Sequence, residues 1–286
     1  MRNAAAILAF ALAAGAPGAA ARAEGIARHS FSWLRTAGGT PVLAVTVEPE
    51  PGWHVYWENP GDSGDAPRFE LALPPGWQAA EPVYQRPEVG LVDGAPFYGH
   101  NGRATYLVPV VARPPAPGAP PMCGNGLWRA TVRVMACKER CTVTTLTGSG
   151  NWPVPTEGEP VEPDGGTVDG ASLPMSAAKA GVTARIDGTA VVVEGPAQGA
   201  ASVRFIPAVV PGMEVELPPD APSVAGTVAD GRFRLEVRLK SPGVGQGNPV
   251  FAGLVLLGNG RGDPCVRLAV PPSVPPGASG AAPPSN

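Results

Sequence analysis

Glycine and proline interrupt this chain so often that little of it can form a long helix. There are 38 glycines and 37 prolines among 286 residues, which is more than a quarter of the chain. That share alone is typical of disordered proteins, but 44% of the residues are hydrophobic, which indicates a folded core. Short runs rich in β-branched and aromatic residues lie between the turn-forming clusters and predict strands. We therefore expect an all-β protein made of sandwiches, in which only residues 177–180 suggest a turn of helix.

The predicted strands fall into two sets, and we interpret each set as one β domain. An acidic stretch rich in glycine and proline, residues 157–170, separates the two sets and has the composition of a linker. The predicted domains span residues 24–160 and 175–270. The first set of strands is 41–48, 53–57, 69–73, 103–112 and 127–136, and the second is 182–186, 190–194, 202–206, 233–239, 250–257 and 265–270.

Residues 1–23 have the pattern of a cleaved signal peptide. Arg2 gives a positively charged start, residues 4–14 are apolar, and Ala21, Arg22 and Ala23 form a cleavage site with small residues on either side. This apolar run is too short for a membrane anchor, and no later stretch is apolar for long enough to span a bilayer. We therefore expect an exported protein without a transmembrane helix. Residues 271–286 carry no charge and are rich in proline, which predicts a disordered tail.

The charge balance argues against a nucleic-acid partner. Cleavage of the signal peptide removes two of the 21 basic residues and leaves 19 against 24 acidic ones, a net charge of −5. Proteins that bind nucleic acid rely on basic patches instead. The three histidines, His29, His54 and His100, are scattered, and no cysteine or histidine array has the spacing of a zinc site, so we predict no metal centre.

Cys137 and Cys141 are the residues that most clearly point to a chemistry. Only three residues separate them, so a bridge between them closes a small ring and constrains little of the unfolded chain. Such a pair is better suited to thiol–disulfide exchange than to stabilisation. An extended strand advances ~3.3 Å per residue, so the segment must bend into a tight turn to bring the two Cα atoms within ~7 Å. Lys138 and Arg140 favour thiolates, and Glu139 between them opposes that effect.

Four motifs, taken in order, resemble the periplasmic N-terminal region of the DsbD/ScsB thiol:disulfide interchange proteins. They are Pro-Gly-Trp-His-Val-Tyr-Trp-Glu-Asn-Pro-Gly-Asp-Ser-Gly at residues 51–64, Leu-Pro-Pro-Gly-Trp at 73–77, Phe-Tyr-Gly at 97–99 and Cys-Lys-Glu-Arg-Cys at 137–141. The second set of strands, with Phe-Ile-Pro at 205–207, resembles the segment that follows the redox domain in ScsB-like members.

The resemblance implies two immunoglobulin-like β-sandwich domains in tandem, the first of which is redox-active. It makes Cys137 and Cys141 the redox pair, and it makes the segment of Phe97, Tyr98 and Gly99 a cap loop that covers the disulfide until a partner arrives. It also implies a periplasmic protein that passes electrons from a membrane-embedded donor to thioredoxin-like periplasmic partners, without a cofactor.

Two further positions follow from the same resemblance. His54 and Tyr56 fall where the family places two aromatic residues beside the cysteines, and here the first is a histidine. Ala95 and Pro96 stand where some relatives carry acids before the cap phenylalanine.

The remaining two cysteines, Cys123 and Cys265, leave the pairing open. If Cys137 bonds to Cys141, then Cys123 and Cys265 either bridge the two predicted domains or remain two free thiols. Four cysteines allow three connectivities, and the sequence does not choose among them.

Two other functions compete with redox exchange. Met122, Cys123 and Met135 together with the cysteine pair form a collection of soft ligands for Cu(I), which would suit a periplasmic copper-binding or copper-tolerance module. Methionines in β proteins mostly fill cores, which argues against copper binding. In the other alternative the bridge is inert and the protein is a purely structural pair of domains.

Overall fold

The protein, described here by a computed structural model, is built almost entirely of antiparallel sheets. The structure describes residues 24–113, 126–152, 160–187, 189–241 and 251–270. The predicted signal peptide and tail lie outside these residues, as do Met122 and Cys123. The prediction of an all-β protein is confirmed, and the helical turn expected at residues 177–180 is present as α1 (Ala177–Ala180).

The first half consists of two sheets that pack face to face. Its strands are β1 (Ile26–Arg35), β2 (Pro41–Pro49), β3 (His54–Gly61), β4 (Arg68–Ala72), β5 (Trp77–Ala79), β6 (Val83–Tyr84), β7 (Glu88–Val92), β8 (Ala95–His100), β9 (Ala104–Ala112), β10 (Gly126–Cys137) and β11 (Cys141–Trp152). One sheet has the order β1-β2-β9-β5 with β6 beside β9, and the other has the order β11-β10-β3-β8-β7 with β4 beside β10.

Both sheets contribute side chains to one core. Val45 and Tyr106 from the first sheet meet Trp57 and Val132 from the second, and all four are buried. The strands alternate buried and exposed residues, most regularly in β10, because successive side chains of a strand point to opposite faces. This is the arrangement of an immunoglobulin-like sandwich.

The second half forms two larger sheets around its own core, and its first two strands, β12 and β13, pair separately. Its strands are β12 (Thr167–Val168), β13 (Ala171–Ser172), β14 (Met175–Ser176), β15 (Thr183–Asp187), β16 (Ala190–Pro196), β17 (Val203–Pro207), β18 (Glu214–Val215), β19 (Val224–Ala225), β20 (Thr227–Ala229), β21 (Arg232–Ser241), β22 (Phe251–Leu257) and β23 (Cys265–Val270). The two sheets have the orders β14-β23-β22-β17-β19 and β15-β16-β21-β18, with β20 beside β21. Phe205 and Phe251 stack at 4.9 Å between ring centroids in this core.

The two halves share a buried junction. The core of the first half also takes in Ile206, Leu254, Leu256 and Cys265 from the second half. The guanidinium of Arg86 is buried there and donates hydrogen bonds to carbonyl oxygens of the β22–β23 turn. The division into two domains stays a prediction, because the packing that joins the halves is continuous with the first core.

The stretch that composition marks as a linker is packed against the first half. Val161 is buried against Val42 and Leu107, and its backbone amide donates to the Arg35 carbonyl at 2.8 Å. From residue 160 onward the predicted linker therefore packs on the first half, and its role as a boundary between domains stays a prediction. Among the described residues, the structure contains no helix long and apolar enough to cross a membrane.

Candidate functional site

The cysteine pair lies at the tip of the long hairpin formed by β10 and β11. Cys137 is the last residue of β10, Cys141 is the first of β11, and the two stand directly opposite each other in the ladder. Their Cα atoms are 4.1 Å apart and their sulfurs form a disulfide. The intervening turn is closed by a hydrogen bond from the Lys138 amide to the Arg140 carbonyl. The predicted tight turn and bridge are confirmed.

The two sulfur-bearing residues differ in exposure. Cys137 is only 3% exposed, whereas Cys141 is exposed. Cys137 packs in a small cluster with Tyr56 and Phe97, and partly buried Val92 and Met135 complete it. A thiolate of another protein can therefore approach Cys141, while Cys137 is shielded.

Phe97 covers this cluster from a strand and not from a loop. It lies in the middle of β8, is 5% exposed and pairs through its backbone with Gly90 and Gly61 on either side. The hairpin of β7 and β8 turns at Asp93 and Gly94, which both have positive φ, as tight hairpin turns require. The segment predicted as a cap loop is therefore a strand, and its role as a cap stays a prediction.

Neither of the other two residues of the predicted cap covers the disulfide, although Gly99 pairs with Tyr56 and lies against the Phe97 ring. The Tyr98 side chain is buried in the core of the first half, and its hydroxyl donates to the Pro222 carbonyl of the second half at 2.6 Å. At Gly99 the backbone approaches β3 so closely that an added Cβ would lie 2.2 Å from the Val55 carbonyl oxygen. Phe97 therefore acts as the cover, while Tyr98 and Gly99 fix the strand that carries it.

The end of β3 and the residue that follows it hold the beginning of β8 in place. The amide of Gly61 donates to the side chain of Asn59 at 3.0 Å, and the amide of Asp62 donates to the Pro96 carbonyl at 3.2 Å. Gly61 has φ of +79°, and a Cβ there would come within 1.9 Å of the Pro96 oxygen. This close approach explains why residue 61 of the motif at residues 51–64 is a glycine.

His54 and Tyr56 lie beside the disulfide, as the resemblance implies. His54 is 8% exposed and stands opposite Cys137 in the pairing of β3 with β10. Its ring lies 4.6 Å from the Phe97 ring between centroids, and its Nε2 is 3.1 Å from the Tyr56 hydroxyl. That hydroxyl donates to the Ser63 carbonyl at 3.0 Å. Burial lowers the pKa of His54 and raises the pKa of Tyr56, because it disfavours the charged form of each.

The charged residues of the turn lie outside the cluster. Arg140 pairs with Glu24, and both side chains are exposed. Lys138 lies against Gly52, since a Cβ at that glycine would be 3.5 Å from the Lys138 Nζ. These two cations therefore sit at the rim of the disulfide and not beneath it.

The structure does not test the predicted bridge between Cys123 and Cys265. Cys123 lies outside the described residues, and Cys265 is 1% exposed and has no disulfide partner among those described. Burial raises the pKa of the Cys265 thiol to about 12. The bridge remains a prediction.

Sequence analysis did not name Val92 as a neighbour of the disulfide, and it named Met135 only as a possible copper ligand. Val92 ends β7, and Met135 lies two residues before Cys137 on β10. The period of two along a strand places Met135 on the same face as Cys137, so this neighbour could have been found from the sequence. Val92 could not, because its position depends on how β7 and β8 join the sheet. In the described part of the chain, no group of three or more His, Cys, Asp or Glu side chains could hold a metal ion.

Comparison with known proteins identifies relatives of the first half. Residues 25–147 match the family described as thiol:disulfide interchange protein DsbD, N-terminal. The crystal structure of the N-terminal periplasmic domain of ScsB from Proteus mirabilis is similar, with a TM-score of 0.50 and 12% sequence identity. The similarity covers 84% of this chain and 91% of that one, so it extends over both halves, and at this identity it shows the fold alone. No curated protein matches the chain.

Proposed function

Since residues 25–147 form a domain of the DsbD N-terminal family, we propose that this protein passes reducing equivalents through Cys137 and Cys141. The partners in this proposal are a membrane-embedded electron donor and thioredoxin-like proteins of the periplasm. The names of the matched family and of the ScsB domain support both the chemistry and the compartment.

The unequal exposure of the two cysteines is the observation that carries this proposal. Exchange requires a thiolate to attack one sulfur of a disulfide in line with the bond, while the other sulfur leaves. Cys141 is exposed and is the sulfur that can be attacked, and Cys137 is covered by Phe97 and is the one that leaves. A bridge with both sulfurs buried would be inert toward other proteins.

Trapping of a mixed disulfide tests the proposal. The Cys137→Ser variant keeps the exposed thiol but cannot resolve an adduct, so we expect it to form a stable mixed disulfide with an oxidised thioredoxin-fold protein. The Cys141→Ser variant keeps only the covered thiol and should give far less adduct. Non-reducing electrophoresis and intact-mass analysis measure the adduct, with the Cys137→Ser/Cys141→Ser double variant as control. Absence of an adduct with both single variants would contradict the proposed function.

A copper-binding role remains the second candidate, because Met135 packs beside Cys137. In the reduced protein, two thiols and this thioether would offer soft ligands to Cu(I). Titration of the reduced protein with Cu(I), compared with the Met135→Leu variant, tests this role. Copper binding that weakens in Met135→Leu, together with failure to trap a mixed disulfide, would favour copper handling over exchange. Absence of Cu(I) binding by the reduced protein, together with a disulfide that resists mild reductant, would favour a structural role.

A further inference from the structure

The covered position of Cys137 creates a chemical problem for exchange. When the reduced protein has attacked a partner disulfide through Cys141, Cys137 must release the partner by attacking Cys141 in turn. The thiolate is the attacking species, yet the surroundings of Cys137 are Tyr56, Phe97, Val92 and Met135. Such surroundings disfavour a free thiolate. The resolving step therefore benefits from a base that takes the proton as the new bond forms.

His54 is the titratable side chain placed to act as that base. It is the cross-strand partner of Cys137, and opposite residues of an antiparallel pair have Cβ atoms roughly 4.5–5.5 Å apart. Its ring lies against Phe97, the residue that covers Cys137. Imidazole and thiol therefore share one covered space.

The hydrogen bonds around Tyr56 determine which nitrogen of His54 is free. The Tyr56 hydroxyl carries one hydrogen, which it donates to the Ser63 carbonyl, since a carbonyl can only accept. The contact between this hydroxyl and His54 Nε2 then requires Nε2 to be the donor. Neutral imidazole carries its hydrogen on one nitrogen, so Nδ1 keeps its lone pair and can accept a proton.

We propose that His54 is the general base that accepts the proton of Cys137 when Cys137 resolves the mixed disulfide at Cys141. In this step the Cys137 sulfur bonds to the Cys141 sulfur, and its proton moves to His54 Nδ1. The bond from Cys141 to the partner sulfur breaks, and its electron pair leaves with the partner as a thiolate. The chain is oxidised by two electrons and the partner is reduced. This inference rests on the proposed function and assigns a residue to its second step.

The surroundings of His54 keep it in the form that a base requires. The side chains that face it are Tyr56 on its own strand, Cys137 on β10 and Phe97 on β8, and Lys138 lies further along at Gly52. Burial lowers the pKa of His54 below its usual 6.5, so the imidazole is neutral at pH 7. A neutral imidazole can accept the proton of Cys137 in the resolving step, in which the reduced protein passes electrons to an oxidised partner.

The two steps of exchange can be timed with dithiobis(nitrobenzoate) in stoichiometric amount. Attack by Cys141 of the reduced protein releases a first thionitrobenzoate, and resolution by Cys137 releases a second. In the wild type, the rate of the second release should be independent of pH above about 6.5, the ordinary pKa of histidine. In His54→Gln, whose amide still donates to Tyr56, this rate should rise about tenfold per pH unit because thiolate then limits it.

At pH 7 we expect the second release to be at least about tenfold slower in His54→Gln, since general bases contribute roughly 10²–10⁴. The first release should be unchanged, because it involves the exposed Cys141. His29→Gln is the matched control, since His29 is exposed on β1 in the other sheet. An equal rate and an equal pH slope in His54→Gln would overturn the role of His54.

A second measurement avoids dependence on a variant that could misfold. Nitrogen chemical shifts of the imidazole in the wild-type protein report the tautomer, and a proton on Nδ1 at pH 7 would overturn the inference. Failure of the first release, or of mixed-disulfide trapping, would instead count against the proposed function itself. The two failures are therefore distinguishable.

Discussion

Replacement of Arg86 by alanine should cost this protein several kcal/mol, because the guanidinium fastens the two halves together. Arg86 is 3% exposed and follows β6 of the first half. Within 3.2 Å it donates to the carbonyl oxygens of Leu257, Gly258 and Pro264, which belong to the second half. Its backbone amide adds a bond to the Ser172 carbonyl at 2.8 Å. Burial lowers the pKa of Arg86, yet an arginine remains charged at neutral pH.

The expected size of the effect follows from the carbonyls that lose the guanidinium as donor. The Pro264 carbonyl keeps a hydrogen bond from the Leu257 amide at 3.0 Å, which leaves the carbonyls of Leu257 and Gly258. Each buried acceptor without a partner costs about 1–3 kcal/mol. Water can enter the space that the side chain leaves, so we expect a loss of about 2–4 kcal/mol. For a chain of this size, about 2–4 °C of melting temperature accompanies each kcal/mol, so the midpoint should fall by roughly 10 °C.

Urea unfolding followed by tryptophan fluorescence and by circular dichroism measures the loss for Arg86→Ala. Arg103→Ala is the matched control, since the Arg103 side chain is half exposed and pairs with the partly exposed carboxylates of Glu48 and Asp169. Exposed pairs contribute about 0–1 kcal/mol, so that variant should remain near the wild type. Arg86→Lys keeps the charge but not the planar guanidinium, so its free energy of unfolding should lie between those of Arg86→Ala and Arg103→Ala. If Arg86→Ala loses no more stability than Arg103→Ala, the junction does not depend on the guanidinium.

Two further predictions concern the cover and a buried histidine. In Phe97→Ala the disulfide should react severalfold faster with dithiothreitol than in the wild type, because Cys137 loses its cover. Leu91→Ala is the control, since Leu91 is exposed on the same hairpin. Equal reaction rates in Phe97→Ala and the wild type would contradict the role of Phe97 as the cover. Burial, with a smaller effect from Arg261, lowers the pKa of His100 to about 3. The unfolded chain then binds the proton at His100 more readily than the folded chain does. The contribution of neutral His100 to the free energy of unfolding is therefore fully present above about pH 6.5 and falls by about 1.4 kcal/mol per pH unit below it. In urea unfolding, the free energy of unfolding of His100→Gln should therefore fall less steeply than that of the wild type between pH 7 and pH 4. If the two proteins differ by the same amount at both pH values, His100 does not contribute to the pH dependence.

Strands with a regular alternation could be predicted from the sequence, because the period itself records which face is buried. Residues 127–136 and 265–270 were expected as strands and correspond to β10 and β23 within one residue. The edge strand β11 shows why others could not. It is mostly exposed and rich in threonine and glycine, so it lacks an apolar pattern. Its glycines instead make room for aromatic rings, since a Cβ at Gly148 would lie 2.7 Å from the Phe31 ring.

The residues of the candidate site could be predicted from the sequence, but their packing around the disulfide could not. The spacing indicated that a bond between Cys137 and Cys141 requires a tight turn, because an extended strand would hold the two residues too far apart. The pairing of His54 with Cys137 depends on β3 joining β10, which are separated by more than sixty residues and whose order no local pattern reveals. The junction at Arg86 was hidden for a similar reason, since a charged residue is rarely expected to be buried.

The pairing of β8 indicates how the disulfide can be uncovered without unfolding the sheet. Phe97 lies between β3 and β7, and its neighbour Tyr98 is tied to Pro222 of the second half. A swing of the whole strand would break both ladders and that hydrogen bond, and each broken bond costs free energy. Rotation of the Phe97 side chain breaks none of these hydrogen bonds. A partner that offers an apolar surface to Phe97 would therefore uncover Cys137 by turning one side chain, while the second half keeps the strand beneath it fixed.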